Sequence, residues 1–419
     1  MILLGLFTLI LALLGAPLFI IIASNAIMHL YFNDLDLSLT IIEFYRLASM
    51  PMLLPIPLFT FAGYIMAQSG TPRRLVRLSH ALFGWIPGGL AIVCLIACAL
   101  FTAFTGASGV TIVALGGLLF PALVSESFGG KFSLGLITTS GSLGLLFPPS
   151  LPIILYGVIA GTSVDELFIG GILPGCLMIG LLALLCMFYA RKRFIPRQAF
   201  SFRELWSAIG AARYEIPLPI IVIAGIYSGK FAISEAAALT TFLVVLVEVF
   251  LYRDIALKDL PETIQRSMVL VGSVMIIMGC SLAYTNYLLD AEVPIRILDA
   301  IKVHITSPLA FLICLNIFLL IVGCMLDIFS AIIVIVPLIV PIASNYGIDP
   351  VHLGIIFLAN LNIGYLTPPV GMNLFISSIR FKQPVIYVYR AALPFLVILF
   401  LSLVLITYIP GISLILLDR

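Results

Sequence analysis

The sequence predicts an all-α polytopic membrane protein built from two inverted repeats, each with one re-entrant hairpin and one broken helix. Composition gives the first reason, because 62% of the 419 residues are hydrophobic and only 10% are charged, far outside the range of soluble domains. Secondly, Gly144 and Gly364, which lie 220 residues apart, are each followed four residues later by Pro-Pro. Thirdly, the apolar stretches 86–125 and 305–346 are each nearly twice a membrane span in length and are interrupted midway.

The two Pro-Pro segments predict broken helices over 132–160 and 350–379. Proline lacks a backbone donor and its ring clashes with the preceding turn, so neither helix continues through its proline pair. Unwound backbone at membrane depth is tolerated only where it faces protein or a wet cavity. Broken segments at matching positions in two halves are typical of the binding site of a secondary transporter.

Segments of about 20 apolar residues predict the remaining spans. They are 2–24, 51–68, 167–190, 215–229, 232–252, 268–288 and 390–417. The interruptions at 105–109 and 323–327 lack the longer polar turn that a loop outside the membrane needs, so we interpret them as hairpin tips. The connectors 38–50 and 254–267 mix apolar and charged residues at near-helical spacing, which predicts helices lying in the membrane interface.

The chain divides into a first repeat, 1–190, a loop with a connecting span, 191–230, and a second repeat, 231–419. The odd span between the repeats turns the second one upside down. The topology then puts 16 of the 21 Lys and Arg residues on one face, in the loops 70–80, 125–131, 191–214, 253–267 and 380–390. By the positive-inside rule this face is cytoplasmic, which places the N-terminus inside and the C-terminus outside. Three basic residues of this face, Arg73, Arg74 and Arg77, are interpreted as markers of the topology with no further role.

Four polar clusters, the two tips and the two breaks, are expected to meet at mid-membrane. Unwound carbonyls with Ser, Thr, Asn and Asp side chains supply the oxygen ligands of hard cations, which favours sodium over a transition metal. Asp327 is the only carboxylate between Val303 and Ile348. A charge at the bilayer centre costs roughly 2.5 to 3.5 kcal/mol, so this residue indicates cation ligation. The alternatives are that it caps a hairpin helix or is protonated against a neighbour.

The other polar residues of the clusters differ in how strongly they indicate a binding site. For Ser108, Ser140 and Ser142, close helix packing or a hydrogen bond back to the helix is nearly as good an explanation as ligation. Asn360 and Asn362 favour a site, since two amides in one apolar helix are costly if unused. Half-helix N-termini aimed into the same cavity favour an anionic substrate.

Enzymatic and nucleic-acid functions are disfavoured by the sequence. The four histidines are dispersed, and neither HExxH nor GxSxG nor a P-loop occurs, so we expect no catalytic residue and no ATP hydrolysis. No basic tract indicates nucleic acid, and no cofactor is expected beyond coupling sodium ions. The seven cysteines are scattered without CxxC spacing and read as small buried hydrophobes.

Several motifs together resemble the large membrane subunit of TRAP (tripartite ATP-independent periplasmic) transporters. They are Phe104-Thr-Gly-Ala-Ser-Gly109, Ser140-Gly-Ser-Leu-Gly-Leu-Leu-Phe-Pro-Pro-Ser-Leu-Pro152, Asp349-Pro350 and Gly364-Tyr-Leu-Thr-Pro-Pro-Val-Gly-Met-Asn373. The resemblance runs from the first span to the last. It implies a sodium symporter of the bacterial inner membrane that takes up organic acids with a periplasmic substrate-binding protein and a small four-helix membrane subunit. That subunit is expected as a separate polypeptide, because the chain starts directly at the first large-subunit span.

The resemblance also assigns site residues. By position, Ser108 with the 140–144 break implies one sodium site, and Asp327 with the 362–367 break implies a second. The sodium candidates are Gly106, Ser108, Ser140, Gly141, Gly144, Asp327, Asn362, Gly364 and Thr367, and the substrate candidates are Thr105, Ser142, Pro149, Asn360 and Pro369. Similarity to related ion-transporter folds implies an elevator motion of hairpins and broken helices against the other spans. A stand-alone sodium/carboxylate symporter and a channel remain as alternatives.

Overall fold

The fold is all-helical throughout the part of the chain that this computed structural model describes. The structure describes residues 16–417 apart from 34–35, 51–52, 196–198, 229, 293–294, 297–298, 300–304 and 306. Most of the predicted first span, residues 2–15, therefore lies outside the described residues.

The first repeat and the segment after it contain ten helices among the described residues. They are α1 (Leu18–Phe32), α2 (Ser38–Ala48), α3 (Pro55–Gln68), α4 (Thr71–Phe83), α5 (Gly89–Thr105), α6 (Ser108–Ser125), α7 (Gly130–Ser140), α8 (Leu151–Ala160), α9 (Val164–Lys192) and α10 (Phe202–Ala211). A single 3-10 turn, Leu143–Leu146, stands between α7 and α8.

The rest of the chain follows the same plan. Its described helices are α11 (Pro217–Tyr227), α12 (Ile233–Val245), α13 (Leu260–Asp290), α14 (Pro308–Met325), α15 (Ile328–Asn345), α16 (Pro350–Gly364), α17 (Met372–Phe381), α18 (Val385–Tyr408) and the short α19 (Gly411–Leu414). A π-helical segment, Leu246–Leu251, extends α12.

The helices are long and apolar enough for a polytopic membrane protein. Among the described residues seven helices satisfy the length and hydropathy of a span, and an eighth is added by the pair α7 and α8, which bends by 44° at the first predicted break. The second broken helix is also present, as α16 and α17 with a non-helical segment between them. The predicted fold class is thus confirmed.

Both predicted hairpins consist of two helices joined by a two-residue turn. In the first, Gly106 and Ala107 connect α5 to α6, and in the second, Leu326 and Asp327 connect α14 to α15. Each tip lies against the break of its own repeat. The hydroxyl of Thr102 is 2.9 Å from the carbonyl oxygen of Gly141, at the first break. Each hairpin therefore ends at the middle of a broken helix, as a re-entrant hairpin does.

The two glycines that precede the Pro-Pro pairs are points of close backbone contact between break and hairpin. A Cβ atom on Gly364 would come within 2.5 Å of the backbone carbon of Gly323 in α14. A Cβ atom on Gly144 would collide with the carbonyl oxygen of Ala99 in α5. Because only glycine allows two backbones to approach so closely, the same residue has the same packing role in both repeats.

Two connecting segments differ from their predicted structure. The segment 254–267 does not form its own interfacial helix, since α13 begins at Leu260 and continues unbroken to Asp290. Pro261 stands in the first turn, where proline is compatible with a helix, and no later proline ends it. The predicted loop 70–80 is helical instead, because Pro72 similarly starts α4. The other interfacial segment, 38–50, forms α2 as predicted.

Arg74 on α4 is the centre of an ion-pair cluster at one end of the molecule. Its guanidinium pairs with Glu215, with Glu248 at 2.8 Å and with Asp254 at 2.6 Å. The side chains of Glu215 and Glu248 are 1% and 2% exposed, so these pairs are desolvated. Burial opposes the charge of Arg74, but the surrounding carboxylates outweigh it and raise its pKa. The interpretation that this arginine reports topology alone is therefore wrong.

The same cluster supports part of the predicted topology. It joins the segment 70–80 to residues before α11 and after α12, and Arg77 pairs with Glu204 of α10 at 2.8 Å. Three of the five segments predicted to share a face, 70–80, 191–214 and 253–267, are thus at the same end of the molecule.

The close contact at Gly364 predicts a strong effect of a single methyl group. Gly364→Ala should destabilise the protein by about 1 to 3 kcal/mol, because the added carbon overlaps the backbone of α14. Gly180→Ala is the matched control, since nothing lies within 4 Å of a Cβ atom there. Thermal unfolding in detergent should show a lower midpoint for Gly364→Ala alone. Equal midpoints for the two variants would contradict the packing role.

The Arg74 cluster predicts a second asymmetry between neighbouring residues. Arg74→Gln leaves buried carboxylates without their cation and should cost about 3 kcal/mol or more. Arg73→Gln removes the same charge from an exposed position for which the described residues show no ion pair, and should change stability little. The measurement is again the unfolding midpoint, and a loss of the same size in both variants would show that net charge, not the cluster, matters.

Candidate functional site

The first break is in contact with the first hairpin near its tip. After Ser140 ends α7, Gly141 and Ser142 lead into the 3-10 turn, and the Pro148–Pro149 bond is cis. At the tip, Thr105, Gly106 and Ser108 are buried. The Thr105 hydroxyl has no hydrogen-bond partner among the described residues. This part of the site therefore contains a buried oxygen that the protein leaves unsatisfied.

The second break is held to the tip of the second hairpin by two hydrogen bonds. The backbone N–H of Gly371, just before α17, donates to the carbonyl oxygen of Cys324 at 3.1 Å. The backbone N–H of Ile328 donates to the phenolic oxygen of Tyr365 at 2.6 Å. As in the first repeat, the Pro-Pro bond at 368–369 is cis. The tip and the break thus form one unit in each half.

Asp327 is the N-cap of α15. One carboxylate oxygen accepts from the backbone N–H groups of Phe329 and Ser330 at 3.0 and 3.1 Å, and the other accepts from the Ser330 hydroxyl. Asp327 thus caps a hairpin helix, a role that does not exclude cation ligation. The carboxylate is only half-buried, and it adjoins Tyr365 through Ile328, so it remains next to the second break.

The two breaks contact each other through residues that are equivalent in the two repeats. The Ser142 hydroxyl donates to the side-chain oxygen of Asn362, and these two residues are 220 positions apart, the same offset that relates the two Pro-Pro pairs. Asn373 of α17 donates to the Ser142 hydroxyl at 3.2 Å and lies 3.3 Å from the carbonyl oxygen of Thr138. The hydroxyl groups of Thr138 and Ser377 are 2.9 Å apart. A buried polar centre thus joins both halves.

Two atoms of this centre, the side-chain nitrogen of Asn362 and the side-chain oxygen of Asn373, are buried without a hydrogen-bond partner among the described residues, as is the Thr105 hydroxyl at the first hairpin tip. Asn362 and Asn373 are both fully buried. Buried polar groups normally find partners, and leaving one without costs roughly 1 to 3 kcal/mol, so unpaired groups at a helix break indicate a place for a ligand.

The remaining candidates divide between this centre and other locations. Pro149 is buried at the first break, whereas Pro369 is exposed at the second. Thr367 donates back to the carbonyl oxygen of Gly364 at 2.9 Å, and Ser140 bonds back to Leu136 at 2.6 Å. Each of these two hydroxyls therefore already donates a hydrogen bond to a backbone carbonyl group of its own helix.

Asn360 is not part of the polar centre. Its amide nitrogen donates to the side-chain oxygen of Asn316 on α14 at 2.7 Å, and Asn316 in turn donates to the Thr407 hydroxyl of α18 at 3.2 Å. His352 reaches the backbone oxygen of Thr407 at 3.2 Å. This second network ties the hairpin, the broken helix and the last span together.

Two residues of the centre, Asn373 and Ser377, were missed as site candidates from the sequence. They are four positions apart in the amphipathic helix α17, and both are buried with Leu374 on its inner side. That spacing was the available signal. Thr102 was also missed, because a threonine in the middle of an apolar helix resembles one that bonds back to its own backbone, which it also does, to Cys98 at 2.8 Å.

The polar centre offers uncharged oxygen atoms as ligands. Within the described ranges no three His, Cys, Asp or Glu side chains are grouped so that they could hold a metal ion. The polar atoms at the breaks are instead hydroxyls, amides and the carbonyl groups of unwound backbone. Such a set suits an alkali cation and the polar end of an organic substrate better than a transition metal.

Known proteins resemble the chain over nearly its whole length. The family model of the tripartite ATP-independent periplasmic transporter, DctM component, matches residues 4–412. The C4-dicarboxylate TRAP transporter large permease protein DctM of Pseudomonas aeruginosa is 36% identical over 93% of this chain and 92% of its own. The isethionate TRAP transporter permease protein DctMQ of Oleidesulfovibrio alaskensis is 33% identical, over 88% of this chain and 59% of its own.

A solved structure is similar in fold. The crystal structure of the Alcanivorax borkumensis YdaH transporter, described as having an unusual topology, superposes with a TM-score of 0.63 over 90% of this chain and 88% of that one, at 14% identity. At that identity the likeness concerns the fold alone. The two breaks, the two hairpins and the full-length sequence match lead to one conclusion: the chain belongs to the DctM component family of the tripartite ATP-independent periplasmic transporters.

Proposed function

We propose that the chain is the large permease subunit of a sodium-coupled, binding-protein-dependent transporter that imports an organic acid across the bacterial inner membrane. The observation that carries this proposal is the contact between the two helix breaks at Ser142 and Asn362. It gathers unwound backbone and unsatisfied polar side chains from both repeats in one buried place. Broken helices that meet at the repeat interface are the common architecture of substrate and ion sites in secondary transporters.

Sodium is the coupling ion in this proposal, bound once in each repeat. The first site comprises the tip residues Gly106 and Ser108 with Ser140, Gly141 and Gly144 at the first break. The second comprises Asp327 with Asn362, Gly364 and Thr367. Each set combines a hairpin tip and a helix break that the structure brings into contact, and each offers several oxygen atoms without a sulfur or imidazole ligand. Hard monovalent cations favour such sets.

The substrate lies between the two sodium sites in this proposal, against Thr105, Ser142, Pro149 and Pro369. Two half-helices, α8 and α17, begin just after the Pro-Pro segments, so their N-termini offer partial positive charge near the breaks. This favours a carboxylate or another anionic group. The names of two relatives, for C4-dicarboxylates and isethionate, fit an organic acid. Asn360 acts indirectly here, because it holds α16 to α14 through Asn316.

The proposed complex includes a periplasmic substrate-binding protein and a small membrane subunit. Family membership supports both partners. The name DctMQ of one relative, of which this chain matches 59%, is consistent with a second membrane component. The excess of Lys and Arg at the end that contains Arg74 supports a cytoplasmic position for that end. The N-terminus is then cytoplasmic and the C-terminus periplasmic.

Sodium should stabilise the folded protein specifically. A ligand that binds only the native state stabilises it by RT ln(1 + [L]/Kd), which is about 2.7 kcal/mol at one hundred times Kd. We expect the unfolding midpoint of the purified protein to rise with sodium chloride but not with choline chloride at equal ionic strength. The Asp327→Asn variant should lose much of this rise, since asparagine can still cap α15 but carries no charge.

Asp349→Asn is the matched control for that experiment. Asp349 caps α16 as Asp327 caps α15, accepting from the backbone N–H groups of Val351 and His352 at 2.8 and 3.2 Å. Its variant should keep the full sodium response. Identical midpoints in sodium and choline across a wide range of concentration would refute sodium coupling, and an equal loss in both variants would remove Asp327 from the site.

We also propose an elevator motion in which hairpins and broken helices slide against the remaining spans, except that α18 moves with them because Asn316 holds it to α14 and α16. The Ser281 hydroxyl of α13 donates to the carbonyl oxygen of Ile333 in α15 at 3.1 Å, which marks a contact between the two bodies. In a background without the native cysteines, a reversible cross-link between cysteines at 281 and 333 should stop substrate uptake, and reduction should restore it. Undiminished uptake by the cross-linked protein would rule the motion out.

A further inference from the structure

Helix α10 turns its apolar side away from the protein. Phe202, Leu205, Trp206 and Ile209 share one side of the helix, at the spacing of an amphipathic stripe. Phe202 and Trp206 are nevertheless 78% and 74% exposed. A helix on the surface of a soluble protein would bury these residues.

The polar side of α10 is the side that contacts the protein. Arg77 of α4 donates to Glu204 at 2.8 Å and to the Ser207 hydroxyl at 2.9 Å. Ala208, which lies on the same side as Glu204, is fully buried. The helix is thus fixed to α4 by its polar groups, and this leaves its aromatic residues to whatever surrounds the molecule.

This helix is too short to cross the bilayer. It has 10 residues, which makes it about 15 Å long against a hydrocarbon core of about 30 Å. It connects α9 to α11, and both of these must meet the membrane surface where α10 stands. The last turn of α9 contains Arg191 and Lys192, which is typical of a helix that ends among headgroups.

Other aromatic residues extend the exposed surface of α10. The ring of Phe200 contacts Phe202 and Trp85, with ring centroids 4.9 and 6.5 Å apart. Three residues after Trp85, Gly88 packs on Ala190 of α9, so the end of α9 adjoins this group. The chain has only two tryptophans, and both lie on this surface. Phe194, which follows α9, is 92% exposed.

Positive charge accompanies these rings. The side chains of Arg191, Lys192, Arg193 and Arg203 are all exposed. Glu204, the acidic residue of α10, is already paired with Arg77. We call the five aromatic residues Trp85, Phe194, Phe200, Phe202 and Trp206 and these four basic residues the aromatic–basic patch. Tryptophan prefers the membrane interface, and juxtamembrane Lys and Arg attract anionic headgroups.

We propose that the aromatic–basic patch is a lipid-binding surface that inserts its rings at the headgroup level and selects anionic over zwitterionic phospholipids. Three observations support this occupant: the outward apolar side of α10, its position at a membrane face and the excess of unpaired positive charge. Rings supply the affinity for the interface and the four cations supply the headgroup selectivity. The inference does not depend on the transported substrate or on sodium.

Tryptophan fluorescence tests the proposal directly, because both tryptophans belong to the patch. The full-length protein is reconstituted in zwitterionic vesicles that contain a small, equal fraction of either phosphatidylglycerol or phosphatidylcholine brominated near the top of its acyl chains. We expect quenching by the brominated phosphatidylglycerol to be at least about threefold stronger, and this ratio to fall with added salt. A Trp85→Phe/Trp206→Phe variant gives the background signal.

A charge-removing variant and a matched control separate headgroup selectivity from simple insertion. Replacing Arg191, Lys192, Arg193 and Arg203 by Gln should bring the two lipids to equal quenching. Replacing four exposed basic residues elsewhere, Lys258, Arg266, Lys382 and Arg390, by Gln should leave the ratio unchanged. Equal quenching of the wild type by both lipids would overturn the selectivity, and quenching by neither would show that something other than lipid covers the patch.

Discussion

The need to shelter unwound backbone inside a membrane governs this structure. Two helices stop at Gly-to-Pro-Pro segments, and the peptide groups freed there have no water or lipid partner. Each re-entrant hairpin shelters these peptide groups, because its tip packs against the break of its own repeat. The contacts are close enough that Gly144 and Gly364 face backbone directly. A hairpin and its broken helix therefore form one structural device. It is present twice, once in each repeat, and the remaining spans enclose both copies.

Contact between the two copies of this device creates the polar centre. Ser142 and Asn362 would be unremarkable hydrogen-bonding residues if each stayed within its repeat. Because they meet, and because Asn373 joins them from α17, the centre draws on both halves and on both Pro-Pro segments. A ligand bound there would be sensed by both repeats at once. Under the proposed function, this shared contact is how an ion and a substrate would be coupled within a single chain.

Much of the architecture was predictable because it depends on strong local signals. Proline pairs, apolar lengths and small polar interruptions located the hairpins and both breaks, and two residues of the polar centre, Ser142 and Asn362, were among the candidates. Asn360 illustrates the limit, since nothing in its own helix distinguishes an amide aimed at the centre from one aimed at Asn316. Arg74 illustrates another, because its three carboxylates come from segments more than 140 residues away. Long-range pairing of charges leaves no local pattern.

The hydrogen bond between Ser142 and Asn362 also constrains how the two halves could have diverged. If the repeats arose by duplication, these positions once held the same residue and faced each other as a matched pair. The hydrogen bond now joins a short hydroxyl side chain to a longer amide. An exact copy of either repeat in place of the other would put two serines or two asparagines at this contact, and the combined length of the side chains that meet there would change. The two halves share one plan but are not interchangeable at the point where they touch.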